Sequence, residues 1–267
     1  MRIGQSAGSR YNLCLPFQLQ RDGLDVVLVS PRNPLNIGAA ARAMANFGFS
    51  RLSVVAPFAP TWREARSAVG AEELLQNAKV TTTLPEALAD CTLVVGTGTL
   101  TYRKPEQEVV ALPDLGPRVA AELARGGRVG LVFGTEKHGL TRDDLSYCHL
   151  LVEIPTDERQ PSMNLGQAVA VCLYELATRC FEAEADESAL KTKTTTVSGE
   201  RLERLSGVVE EAMCAAGYSP RSMQEANRRD LRLLLRRLGL DEGDCRRILG
   251  LFRRILWRLN RPPLRLL

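Results

Sequence analysis

Short runs of aliphatic and β-branched residues recur along the first two thirds of the chain, separated by stretches of helix length. The runs occupy positions 26–29, 52–55, 93–95, 129–133 and 150–154, and a weaker one lies at 79–82. Because these runs are almost continuously apolar, both faces of the strands they form are expected to be buried, as in a parallel sheet that helices cover on both sides. The alternation of strands and helices therefore predicts an α/β domain.

Helices are predicted at 39–47, 85–89, 115–125 and 165–181, between or after these strands. Thr141 is a predicted N-cap because Asp143 and Asp144 follow it, and carboxylates are favoured in the first turn of a helix. We predict that the α/β domain spans 24–183 and follows a loose extension over 1–23, which is rich in Gly, Ser, Asn and Gln.

A second, smaller unit is predicted at the carboxyl-terminal end of the chain. A polar linker covers 184–199, and apolar residues recur at helical spacing in the tail that follows, 200–267. Residues 1–199 contain 20 basic and 22 acidic side chains, whereas the tail contains 15 arginines, no lysine and 9 acidic side chains, a net charge of +6. This asymmetry indicates a polyanionic partner. Five tail arginines are expected to point outward, although a solvated helix face explains them equally well: Arg228, Arg229, Arg232, Arg236 and Arg237.

The composition excludes several other classes of protein. With 267 residues, 45% of them hydrophobic, the chain can bury a large core without disulfide bonds or a metal ion. Its seven cysteines are scattered and never spaced as C-x-x-C, which is typical of reduced thiols in a cytoplasmic protein. No stretch approaches the roughly 18 apolar residues of a membrane span. We therefore expect no membrane partner and no bound metal.

The first of three polar loops, 30–42, follows the first predicted strand and leads into a helix. Asn36 is a predicted cap of that helix, Gly38 allows another backbone to approach closely, and Arg42 lies further along the helix. A helix N-terminus beside a guanidinium suits a phosphate or a carboxylate. The alternative is that Gly38 serves helix packing only and that Arg42 forms an ordinary ion pair.

Two glycines, Gly134 and Gly139, bracket the second loop, directly after the most apolar predicted strand. This spacing indicates a strained turn whose backbone groups face a ligand. Glu136 would orient a substrate hydroxyl, hold Arg42 or cap a helix. His138 is interpreted as a solvated loop residue.

The third loop, 154–166, leads into the helix predicted at 165–181. Ser162 or Asn164 can cap that helix, which explains both residues without any catalytic function. All three loops follow the carboxyl ends of predicted strands, where open α/β sheets bind their ligands. Because the chain has no dinucleotide fingerprint after its first strand, no P-loop, no zinc-ligand spacing and no G-x-S-x-G, most nucleotide-driven enzymes and hydrolases are excluded.

Taken together and in order, the three loops resemble the motifs of the SPOUT RNA methyltransferases of the TrmH family. The matching residues are Asn36-x-Gly38-x-x-x-Arg42, Phe133-Gly134-x-Glu136-x-x-Gly139-Leu140, and Ile154-Pro155 followed by Ser162-Met163-Asn164-Leu165. The segments at 87–97 and 201–218 are similar to the TrmJ-like tRNA 2′-O-methyltransferases of that family. This chain departs from their usual Ser-Ser-Leu-Asn-Leu segment, because it reads Pro161-Ser162-Met163 before Asn164.

The resemblance implies a parallel-sheet α/β domain with a C-terminal trefoil knot, followed by a small helical extension. It also implies S-adenosylmethionine as the cofactor, tRNA as the partner, and a homodimer with the knot region at its interface. The reaction would be methylation of the ribose 2′-hydroxyl of a cytidine or uridine at position 32 in the anticodon loop. The cofactor-binding residues carried over by motif are Thr97, Gly98, Thr99, Gly134, Ile154, Pro161, Ser162 and Met163.

The catalytic residues carried over by motif are Arg42, Asn36, Glu136, Ser162 and Asn164. Because a guanidinium with a pKa above about 12 is a poor base, Arg42 is expected to anchor the target phosphate and polarise the hydroxyl, across the dimer interface. Arg42 and the five tail arginines would bind RNA through its phosphates. Three alternatives remain: an rRNA 2′-O-methyltransferase of the same superfamily, a non-catalytic RNA-binding protein with this fold, and a small-molecule α/β enzyme.

Overall fold

The computed structural model describes residues 21–98, 105–179 and 197–260. A seven-stranded sheet lies at its centre, with every neighbouring pair parallel and with the order β3-β2-β1-β6-β4-β7-β5. The strands are β1 Leu24–Val29, β2 Arg51–Val55, β3 Lys79–Thr81, β4 Leu93–Thr97, β5 Glu108–Ala111, β6 Val129–Phe133 and β7 Leu150–Glu153. The predicted α/β class is confirmed.

Helices cover both faces of this sheet. Those of the α/β domain are α1 Pro34–Phe47, α2 Glu72–Asn77, α3 Leu84–Ala87, α4 Leu112–Ala124, α5 Arg142–Leu145 and α6 Leu165–Arg179. On one face α6 packs against α1 and α4, over a core that includes Ile37, Leu115 and Leu173. On the other face the segments that contain α3 and α5 contribute Leu84 and Leu145 to a second core. The strands β1, β2, β4, β6 and β7 are buried on both faces, which explains why their sequences do not alternate.

Six of the seven strands form where apolar runs predict them, and β5 does not appear in that prediction. This strand pairs only with β7 at the edge of the sheet, and three of its four residues are exposed. The helix α2 is also absent from the prediction. Both elements are short and largely solvated, so they lack the apolar periodicity on which the prediction depends.

Helix α1 begins earlier than predicted, because Asn33 and not Asn36 is its N-cap. The side-chain oxygen of Asn33 accepts a hydrogen bond from the Leu35 amide at 3.0 Å, and Pro34 occupies the first helical position, where its fixed φ and missing N–H cost nothing. The capping role predicted for Asn36 is therefore wrong, and its side chain is left for other contacts. The N-cap predicted at Thr141 is confirmed by a reciprocal capping box with Asp144.

The tail folds as three helices, α7 Gly199–Ala215, α8 Gln224–Arg237 and α9 Glu242–Leu259. They enclose a small core of their own that includes Leu205, Leu235 and Cys245. The tail also packs on the α/β domain, where the Gly199 amide donates to the Cys91 carbonyl at 2.9 Å and α7 contacts α3. No helix in the described part of the chain is both long and apolar enough to span a bilayer.

Two of the five tail arginines do not point outward as predicted. Arg232 and Arg236 are only 5% and 6% exposed and bind the α/β domain beside α5. The guanidinium of Arg232 donates to Asp143 at 3.0 Å and to the Ser146 hydroxyl at 2.9 Å. That of Arg236 donates to the Tyr147 carbonyl and to Glu203, both at 2.9 Å. We call Arg232 and Arg236 the arginine clasp.

The other three arginines of this row remain closer to solvent. Arg228 is exposed and binds the Glu210 carboxylate through two of its nitrogens, and Arg237 is exposed and pairs with Glu106 at 3.0 Å. Arg229 is half-buried. The row is therefore divided between a packed face and a solvated face of α8.

Loss of the clasp is expected to destabilise the protein. Arg236→Leu leaves the Tyr147 carbonyl without its donor and Glu203 without its cation, so we expect the free energy of unfolding to fall by about 2–4 kcal/mol. The matched control is Arg228→Leu, which removes an exposed ion pair of the same helix and is expected to cost less than about 1 kcal/mol. Urea unfolding followed by circular dichroism measures both values. Equal stability of the two variants would contradict a role of the clasp in holding the tail.

The boundary segments differ slightly from the prediction. Residues 1–20 of the predicted extension and residues 184–196 of the predicted linker lie outside the described residues. Arg21 already packs, with its guanidinium 5.7 Å from the centre of the Phe49 ring. At the other boundary Val197 is buried in the tail core, and α7 begins at Gly199.

Candidate active site

The sheet brings the three polar loops to one edge. They follow β1, β6 and β7, and the strand order β1-β6-β4-β7 leaves only β4 between the second and the third. Because these strands are parallel, all three loops leave the sheet at its carboxyl end. The first loop, which precedes the other two by about a hundred residues, therefore becomes their neighbour, as predicted.

One residue from each loop joins a continuous set of hydrogen bonds. The side-chain amide of Asn164 donates to the Asn36 side-chain oxygen at 3.0 Å, and the Asn36 amide donates to the Glu136 carboxylate at 3.1 Å. We call Asn36, Glu136 and Asn164 the motif network. The Asn164 oxygen also accepts from the amides of Gly166 and Gln167, so Asn164 caps α6 as predicted. The network fixes the relative positions of the three loops.

Glu136 anchors the network through backbone groups as well. Its carboxylate accepts from the Arg32 amide, at 3.1 and 3.0 Å to its two oxygens, and from the Asn33 amide at 2.9 Å. Burial raises the pKa of Glu136, but these amides and that of Asn36 outweigh burial and leave the pKa below its ordinary value. An ionised Glu136 thus holds the start of α1. Among the described residues it forms no ion pair with Arg42.

A pocket of about 260 Å³ opens beside the network. Seven of the eight residues that the resemblance assigns to cofactor binding line it: Thr97, Gly98, Gly134, Ile154, Pro161, Ser162 and Met163. The eighth, Thr99, lies outside the described residues. Glu136 lines the pocket too. Asn36 and Asn164 do not line it, but they are connected to Glu136 by hydrogen bonds, Asn36 directly and Asn164 through Asn36.

The wall between β6 and α5 is a tight turn that depends on glycine. The Thr135 and Gly139 backbones form an isolated antiparallel bridge, and Gly139 has a φ of +65°, which favours glycine. A Cβ on Gly134 would overlap the backbone of Gly139 and Leu140. The end of the turn therefore packs against its first residue, Gly134. This packing leaves the backbone groups of the turn facing the pocket.

Other pocket residues are not among the predicted site residues. Thr135, Lys137 and Thr156 line the pocket. His138 also lines it and is exposed, as the prediction of a solvated loop residue requires. Their position between the two glycines or after Ile154 is the only signal in the sequence. Among the described residues no cluster of three potential metal ligands is present.

Arg42 lies on α1 and is exposed. In the described part of the chain it forms no hydrogen bond and no ion pair. Ser162 is exposed at the rim of the pocket. The structure thus joins Asn36, Glu136 and Asn164 directly, and it leaves Arg42 and Ser162 available to another molecule.

A parallel sheet with a pocket at the carboxyl ends of its strands, one wall of which is a glycine-dependent turn, defines an α/β ligand-binding protein. The missing dinucleotide fingerprint separates it from the Rossmann class. The SpoU rRNA Methylase family matches residues 23–174, more than half of the chain. The chain belongs to this family.

Relatives with assigned names cover most of the chain. A tRNA (cytidine/uridine/adenosine-2′-O-)-methyltransferase TrmJ of Pseudomonas aeruginosa is 36% identical over an alignment of 225 residues that covers 78% of this chain and 85% of that protein. A tRNA (cytidine-2′-O-)-methyltransferase TrmJ of Methanocaldococcus jannaschii is 40% identical over an alignment of 159 residues that covers 58% of this chain and 68% of that protein. The crystal structure of TrmJ from Z. mobilis matches 86% of this chain and 98% of its own, with a TM-score of 0.76 and 30% identity.

Proposed function

We propose that the protein is an S-adenosylmethionine-dependent tRNA 2′-O-methyltransferase that acts in the cytoplasm. The motif network carries this proposal, because it unites one residue from each of three family motifs beside a pocket. Relatives that cover most of the chain are named for the same reaction. The buried free thiols of Cys91, Cys148 and Cys172 support a reducing compartment.

The residues that line the pocket suit the proposed cofactor in their chemistry. Its walls combine aliphatic side chains, such as Ile154 and Leu165, with the backbone of the turn from Gly134 to Leu140. Such a lining fits a ligand with a flat base and a polar tail. When bound, S-adenosylmethionine supplies an activated methyl group. The residues expected to hold it are the seven pocket residues named above and Thr99.

The chain's own residues position the acceptor ribose. Arg42 binds the target phosphate and polarises the 2′-hydroxyl, since a fork of N–H donors matches phosphate geometry. Ser162, at the pocket rim, is available to hydrogen-bond the ribose. Asn36, Glu136 and Asn164 are positioning residues that keep the loops in register. A rigid network of this kind favours a transfer that requires donor and acceptor to lie in line.

Two features of the assembly belong to the same proposal. The first is a homodimer in which Arg42 completes the partner's site, which is supported by its exposure and by its lack of a partner within the described residues. The second is a trefoil knot in the carboxyl-terminal half of the α/β domain. The position of β7, the last strand of the sheet in sequence, between the earlier strands β4 and β5 supports it.

The exposed arginines of the tail are proposed to hold the body of the tRNA. The target nucleotide implied by the resemblance is nucleotide 32, in the anticodon loop. Phosphate contacts supply affinity without sequence information. Arg228 and Arg237 are exposed, each paired with a carboxylate that a phosphate would have to replace, and Arg229 is half-buried. Arg232 and Arg236 are buried in the clasp and do not reach RNA. Further exposed arginines, Arg253 and Arg254, lie on α9.

Methyl transfer from labelled S-adenosylmethionine tests the function. We expect label to enter bulk tRNA and not purified rRNA when the wild-type protein is present. Transfer to rRNA alone would favour the rRNA methyltransferase alternative. Binding of RNA without transfer to either substrate would favour the non-catalytic one.

A further inference from the structure

An exposed aromatic ring and a guanidinium lie together at the sheet edge that carries the candidate active site. Phe58 is 74% exposed, the largest value for any large hydrophobic residue in the described ranges. The Arg32 guanidinium lies 5.6 Å from the centre of its ring. The Phe58 amide donates to the Pro31 carbonyl at 3.2 Å, which ties the two loops together. Exposure of a phenyl ring to water is unfavourable unless a partner covers it.

Arg32 and Phe58 lie close to the candidate active site. Phe58 follows β2, Arg32 follows β1 and Glu136 follows β6, and these three strands are consecutive in the sheet. Neighbouring strands are about 4.8 Å apart, so the end of β2 lies roughly 10 Å from the end of β6 and its pocket. The Arg32 amide also donates to both Glu136 oxygens. The pair is therefore fixed to the motif network.

The backbone that presents the pair is strained. Ser30 and Ala56 have φ values of +47° and +43°, and within the described ranges they are the only non-glycine residues with positive φ. They lie at the ends of β1 and β2, just before Arg32 and Phe58. Their amides donate to the Val55 and Thr81 carbonyls of the neighbouring strands, at 2.8 and 2.9 Å. Such strain persists where the surrounding structure holds a segment in one conformation.

We propose that Arg32 and Phe58 form a stacking site for an unpaired nucleobase next to the target nucleotide. The inference rests on the proposed function. Single-stranded RNA is recognised by stacking of splayed bases on aromatic rings and on guanidinium planes, and every base offers such a face. An Arg–Phe pair beside the pocket thus suits a loop substrate and holds the nucleotide beside the target without reading its sequence.

Steady-state methylation of bulk tRNA by the full chain tests this site. We expect Phe58→Ala to raise the KM for tRNA by about 5- to 100-fold, the loss typical of one stacked base. At saturating tRNA, kcat and the affinity for S-adenosylmethionine should stay within about twofold of wild type, since neither depends on the stacking contact. Phe58→Trp should retain a low KM. Val69→Ala, which truncates a 62% exposed side chain elsewhere, should change nothing.

The outcomes separate this inference from the proposed function. If the wild-type protein does not methylate tRNA, the proposed function fails first. If it does, and Phe58→Ala keeps the wild-type KM, the stacking site is wrong. If Phe58→Ala instead changes the molecular mass measured by light scattering, the ring belongs to an interface between two copies, and the stacking site is also overturned.

Discussion

Arg42→Ala is expected to reduce kcat for tRNA methylation by at least about 100-fold, the scale of losing one positioned donor that stabilises charge in the transition state. The side chain is exposed on α1 and forms no hydrogen bond or ion pair in the described part of the chain, so its removal breaks no internal polar contact. The affinity for S-adenosylmethionine, measured by calorimetry, should be almost unchanged because Arg42 does not line the pocket.

Two further variants sharpen this test. Arg42→Lys keeps the charge but loses the planar fork, so it should recover only part of the activity. Arg66→Ala removes another exposed arginine of the same domain and should retain wild-type turnover. If Arg42→Ala turned over at the wild-type rate, the catalytic assignment of Arg42 would be wrong.

Gly134→Ala is expected to abolish binding of S-adenosylmethionine. A Cβ at this position overlaps the backbone of Gly139 and Leu140, and neither backbone can move without opening the turn that forms the pocket wall. We expect the affinity for S-adenosylmethionine to fall by more than about 100-fold, since a displacement of about 1 Å in a site of this kind can cost that much. Calorimetric titration of the cofactor measures the affinity.

The matched control is Gly207→Ala in helix α7. Nothing lies within 4 Å of a Cβ at Gly207, and alanine in a helix is favourable over glycine by roughly 0.5–1 kcal/mol. This variant should bind the cofactor as the wild type does and unfold at slightly higher urea. Normal cofactor binding by Gly134→Ala would show that the turn does not form the binding wall.

The sheet follows closely from local sequence, because strands buried on both faces carry a continuous apolar signal. The same signal cannot find β5, whose residues are mostly exposed at the sheet edge. Nor can it choose between Asn33 and Asn36 as the cap of α1, since that choice depends on Pro34 and on the contact of Asn36 with Glu136.

The arginine clasp shows the limit of helical periodicity. An arginine-rich face of α8 has the same pattern whether water or a polar surface covers it. Burial of Arg232 and Arg236 depends on Asp143, Ser146 and Tyr147, about ninety residues away in sequence. Phe58 was missed for a related reason, because one aromatic residue in a loop carries no pattern.

The residues of the candidate site are easier to predict from the sequence than the contacts that each of them makes. The family resemblance places seven of its eight predicted cofactor residues around one pocket, because their segments lie at the carboxyl ends of strands that the sheet brings together. The hydrogen bonds among Asn36, Glu136 and Asn164 do not follow from the sequence, since these side chains meet only when the folded sheet has brought the three loops together.

The chemistry of the transferred methyl group tests the central proposal most directly. A tRNA transcript without modifications is incubated with the protein and S-adenosylmethionine, digested to nucleosides and separated by mass spectrometry. We predict a single methylated nucleoside whose added mass fragments with the ribose. A methyl group that fragments with the base, or a transcript that remains unmethylated, would contradict the proposal.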